Sequence, residues 1–142
     1  MRHIHSKAVW FLVVLFCLAA APGISFSQDY EPMGSPGKKV PIGKDFTAVY
    51  FFDKKPQMGT VILKVEVFDK EGKKDTSLKI TGKSDMPSMK GAHASGDTPM
   101  QLNKKGDYLM PVNLVMPGEW EVELVFIQDK NVIYRGSIRF NV

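Results

Sequence analysis

Trp120, Val122, Leu124 and Phe126 alternate with charged Glu121 and Glu123, and this period of two constrains the fold more than any other feature. A period of two turns one side of a segment toward a core and the other toward water, the signature of a strand on a half-buried sheet. The same pattern recurs along the chain. Phe46, Ala48, Tyr50 and Phe52 alternate, as do Val61, Leu63, Val65 and Val67 around Lys64 and Glu66. Leu78 and Ile80 follow, then Tyr108, Met110, Val112 and Leu114, and last Tyr134, Ile138 and Phe140 beside Arg135 and Arg139. Asp69-Lys70-Glu71-Gly72, Lys104-Lys105-Gly106-Asp107 and Met116-Pro117-Gly118 supply turns between the runs. No stretch sustains a helical period. With Thr98 to Leu102 counted as one short strand, the pattern predicts an all-β, immunoglobulin-like β-sandwich of about seven antiparallel strands. An eight-stranded barrel would need longer strands and more of them.

The N-terminus follows a different rule. Residues 1–7 are short and basic, residues 8–21 form an unbroken apolar run, and small residues lead to Ser25-Phe26-Ser27. That is the layout of a secretory signal peptide, and the run is shorter than the ~20 apolar residues of a membrane span. Cleavage after Ala21 would leave Pro22 beside the scissile bond, so cleavage after Ser27 is expected. The expected division is a signal peptide over 1–27, a flexible Gly-, Pro- and Lys-rich lead-in over 28–44 with a short edge strand near Val40–Ile42, and the sandwich over 45–142. The sole cysteine, Cys17, lies in the apolar run behind bulky Phe16, which argues against a lipoprotein anchor. The expected product has no cysteine, hence no disulfide, thiolate nucleophile or cysteine metal site. It is expected in the periplasm or outside the cell, with no membrane span after cleavage.

The formal charge of +4 over 142 residues falls by two once Arg2 and Lys7 leave with the signal. Acids and bases are interspersed, which excludes a strongly basic nucleic-acid binder. Catalysis finds little to work with. His93, Ser95 and Asp97 crowd into one short segment, whereas a triad is assembled from separated segments. There is no nucleophile elbow, phosphate-binding Gly-rich loop or zinc-protease helix. The chain reads as a non-enzyme.

Residues 85–97 break the alternation and carry Met86, Met89 and His93, with Met100 beyond them as a further sulfur. Two thioethers and an imidazole form a soft, neutral donor set suited to Cu(I). The other reading is structural: methionine is a flexible gap-filler, and Met86 and Met89 fold inward as a plug over the end of the sandwich. The spacing alone leaves both readings open.

The strand VILKVEVFDKEGK (61–73), the MPSM loop (86–89) and KKGDYLMPVNLVMPGEWEVELVF (104–126) together resemble the YtkA-like domain, related to FixH-type envelope proteins. The resemblance covers about residues 44–142. It implies an exported immunoglobulin-like sandwich. Through the FixH-type relatives it also implies a link to cbb-type cytochrome oxidase assembly beside a copper-transporting ATPase. In the family a histidine often follows the second methionine closely; here Lys90-Gly91-Ala92 intervene before His93. The resulting expectation is a copper-binding carrier, sensor or assembly accessory that uses Met86, Met89 and His93. The alternative is a metal-free module that meets an envelope or membrane protein through a loop or a sheet edge.

Overall fold

The computed structural model describes residues 29–142; the expected signal peptide and Cys17 lie outside the described residues. Among the described residues ten strands form two five-stranded sheets. In chain order they are β1 (Glu31–Pro32), β2 (Val40–Ile42), β3 (Phe46–Phe52), β4 (Gly59–Asp69), β5 (Lys79–Asp85), β6 (Thr98–Pro99), β7 (Gln101–Leu102), β8 (Tyr108–Leu114), β9 (Glu119–Gln128) and β10 (Asn131–Asn141). One sheet runs β1-β10-β9-β5-β6 and the other β2-β3-β4-β8-β7. In immunoglobulin lettering, β3, β4, β8 and β7 occupy the A, B, E and D positions, while β5, β9 and β10 occupy C, F and G. The expected sandwich is therefore present with its Greek-key order.

The alternation read in the sequence sets which side chains meet. Val61, Leu63, Val65 and Val67 of β4 and Trp120, Val122, Leu124 and Phe126 of β9 are all fully buried between the sheets. Each such side chain contributes roughly 1.5–3 kcal/mol on burial. Gly82 on β5 is an interior position with no room for more: a Cβ there would sit 2.5 Å from Met110 Sδ and 3.1 Å from Leu124 Cδ2.

Three local readings change. Residues 29–44 are not a flexible lead-in. Besides the expected edge strand, which is β2 and pairs with β3, they supply β1, which pairs with β10 in parallel. Met33 is fully buried and its amide donates to Ser137 O (2.9 Å), while Tyr50 Oη donates to Gly34 O (2.8 Å). The segment is ordered because two apolar side chains in a Gly/Pro-rich stretch, Met33 and Ile42, are fully buried in the core. The β1–β10 pair is also an exception to the expected antiparallel pairing. Third, Thr98 to Leu102 is not one strand. β6 pairs with β5 in one sheet and β7 with β8 in the other. Met100, between them, is buried and donates its amide to Ile80 O (2.9 Å), so it is the hinge of the crossing and not a free sulfur.

Proline stands at the sheet margins. Pro32 lies on β1, Pro41 on β2, Pro99 on β6, and Pro111 on β8 beyond the reach of β7. Neighbouring bonds fix their orientation. The amides of Met33 and Met100 bond inward, so Pro32 and Pro99, one residue before, face outward. Gly37 N–H donates to Tyr50 O, so even-numbered β3 residues bond toward β2; Pro41, paired with Thr47, therefore faces out. Ile62, the partner of Pro111, turns its amide and carbonyl to Asp53, so Pro111 faces the open side.

Candidate functional site

β5 continues its in-out alternation to its end: Ile80, Gly82 and Ser84 are buried, and Met86 takes the next inward position. The chain then leaves the sheet through one 3-10 turn, Pro87–Met89, in which Met89 N–H donates to Met86 O (2.9 Å). Asp85 frames this turn. Its Oδ1 accepts from Met86 N–H and its Oδ2 from Gly91 N–H, both at 2.8 Å. The Gly91 bond, with the amides of Met86 and His93 and the charge of Lys83 adding, lowers the Asp85 pKa against a partial desolvation that raises it. Gly91 adopts a φ of +84°, a left-handed conformation that side chains resist, which lets its amide turn back to Asp85. The far end of the loop is also tied. Ser95 N–H donates to Ser84 O and Ser95 Oγ accepts from Ser84 N–H, each at 3.0 Å.

Within this frame the three expected donors part company. Met86 is only 4% exposed and belongs to the core; its Cε lies 3.0 Å from where a Cβ on Gly118 would stand. The inward phase of β5 puts it there, and it fills the role of the plug. Met89 is 43% exposed. His93 is half-buried, with its ring 6.3 Å from the ring of fully buried Trp120 at 42°. Met86 therefore does not share the outward position of Met89. His93 also lines a groove of about 360 Å³ with Ser84, Ser95, Pro111, Asn113 and Val115.

Other side chains at this end were not singled out by the sequence pattern. Gly59 pairs with Leu114, so the next residues, Met58 and Val115, leave the sheet side by side, and Met116 follows. Met58, Val115 and Met116 are all exposed. Trp120 Nε1 donates to Met116 O (2.9 Å), tying the β8–β9 turn to the same indole that flanks His93. The signal was available: Met116 lies in the Met-Pro-Gly corner that precedes Trp120, but it reads as a turn residue until the turn and the loop are seen at one end.

The outer face of the β5-β9-β10 sheet carries a charged hollow of about 670 Å³, bounded by Tyr30, Lys90, Glu121, Glu123 and Arg139. Its carboxylates are engaged: Glu121 Oε1 accepts from Arg139 Nε (3.0 Å), and Glu123 Oε2 lies 2.7 Å from Lys83 Nζ. Among the described residues no three His, Cys, Asp or Glu side chains gather to hold a metal ion. A metal at the loop end would therefore depend on thioethers as well as the imidazole. No helix among the described residues is long and apolar enough to cross a membrane.

No curated protein matches the chain. Among solved structures it is similar to FetP from uropathogenic E. coli strain F11, crystallised as isolated after recombinant expression in the periplasm of E. coli BL21(DE3). The identity is 15% and the TM-score 0.43, over 75% of this chain and 97% of that one. The sequence profile of the YtkA-like family matches residues 43–125, which include β3, β4, β5, the Met/His loop and most of β9. On that match the chain belongs to the YtkA-like family.

Proposed function

We propose that this is an exported, periplasmic domain that binds Cu(I) at the Met/His loop end and carries or senses it rather than transforming a substrate. One observation carries the reading. A loop tied at Asp85 and at Ser84–Ser95 carries exposed Met89 and, four residues on, half-buried His93, whose ring lies beside the indole of Trp120. Thioether and imidazole donors suit Cu(I), and a fixed frame spares the ordering cost that a free loop would incur on binding. Copper, when bound, contributes its own redox and transfer chemistry. The chain supplies soft donors, a neighbouring apolar wall and shelter on one side.

Trp120 gives the test its reporter. Cu(I) titrated into the domain in competition with a chromogenic chelator is expected to be retained and to quench Trp120 emission. His93→Gln and Met89→Leu are expected to weaken retention about tenfold or more. Equal retention by the wild type and the His93→Gln/Met89→Leu double variant would end the copper reading.

A second reading, a metal-free module that docks an envelope protein, rests on the exposed apolar side chains Met58, Val115 and Met116 at the same end. Exposed methionines suit an adaptable contact surface. Under that reading, polar substitutions there abolish partner recovery from envelope extract, and copper has no effect.

A further inference from the structure

We infer that Met116, from the β8–β9 turn, supplies the thioether that completes the soft donor set with Met89 and His93, in place of core-bound Met86. This deepens the copper reading and rests on it.

Three observations converge on Met116. Trp120 links the two segments: its ring lies beside the His93 ring, and its Nε1–H bonds to the carbonyl of Met116. Val115, the residue before Met116, lines the groove that His93 also lines. Third, the turn is held in place from below: Gly118 N–H donates to Val142 O (3.1 Å) and Val142 N–H to Gly118 O (3.0 Å). Met116 is 38% exposed, while its carbonyl is held by the Trp120 Nε1–H. Met86 has the opposite disposition. Its methyl lies against Gly118, beneath the turn that lifts Met116 outward.

The donor set implied is one imidazole and two thioethers drawn from two loops. Binding would thus bridge the β5–β6 loop, which joins two strands of one sheet, and the β8–β9 turn, which crosses between the two sheets. A neutral set of this kind takes a soft monovalent cation, Cu(I) or its chemical analogue Ag(I), and discriminates against hard divalent ions.

Leucine keeps the apolar volume and removes the sulfur, so Met→Leu variants separate ligation from packing. Met116→Leu is expected to lower Cu(I) retention against the chelator about tenfold or more and to reduce quenching of Trp120. Met58→Leu, exposed at the same end but without a tie to Trp120, is expected to match the wild type, as is Met86→Leu. Wild-type retention by Met116→Leu, alongside weakening in Met89→Leu and His93→Gln, would overturn this inference and leave the copper reading standing. Weakening by Met86→Leu with Met116→Leu unchanged would overturn it in favour of Met86. Failure of the wild type itself to retain Cu(I) would remove the copper reading and this inference together.

Discussion

Asp107 shows how one side chain can hold a corner of the structure. It is 5% exposed, and its carboxylate takes the Lys74 ammonium at 2.5 Å and the Asn103 amide at 3.0 Å. Asn103 in turn accepts the amides of Lys105 and Asp107 at its Oδ1, which shapes the turn into β8. The Lys74 hydrogen bond, aided by Asn103 and by the nearby positive charges, outweighs burial and pushes the Asp107 pKa down from 3.8 to about 2. A carboxylate whose folded value lies below its unfolded value stabilises the fold above the unfolded value and loses that contribution as pH falls through the folded one. Urea unfolding at a series of pH values is therefore expected to show a loss on the order of 2 kcal/mol from about pH 4 down to about pH 2. In Asp107→Asn that slope should flatten while stability at neutral pH drops. A slope unchanged in the variant would assign the acid sensitivity elsewhere.

A strand and the loop it feeds divide at a single residue. Met86 extends the inward phase of β5 and Met89 does not, so equal chemistry meets unequal environments. Met86→Ala is expected to cost ~2–5 kcal/mol by leaving a cavity under the turn, and Met89→Ala to change stability by less than about 0.5 kcal/mol. Chemical denaturation of both variants checks this, and similar losses in the two would contradict the division. The long strands were legible in the sequence because each has one buried side, and a two-residue period records that directly. β4, β8 and β9 match their alternating runs closely. The burial of Met86 was legible in the same way: Leu78, Ile80, Gly82, Ser84 and Met86 form one row, but small Gly82 and Ser84 hide it from a hydrophobicity reading. The strand over Thr98 to Leu102 was legible, but its division into β6 and β7 was not, since a segment that crosses between sheets has no period to display. Nor was Met33, whose burial depends on Gly136: a Cβ there would lie 2.6 Å from Met33 Sδ, so the pocket that receives it belongs to a strand a hundred positions away. The convergence of Met116 and His93 on Trp120 is likewise a product of the Greek-key order, which brings loops distant in sequence to one end.

On the scale of the whole molecule, two sheets packed face to face leave four margins, and prolines on β1, β2, β6 and β8 withdraw outward amides from them. Edge pairing between copies needs those amides. Replacing Pro41, Pro99 and Pro111 together with threonine would restore them with little change in stability, since the three rings face away from the ladder bonds. The triple variant is expected to associate more than the wild type at equal concentration, by light scattering and by dye-binding assays for cross-β structure. Indistinguishable behaviour would show that the margins are protected by something other than proline. The arrangement also bears on use of the domain at high density. Copies strung in tandem or displayed close together on a particle have few places to template one another, so crowding should leave each unit folded separately with its loop tip free.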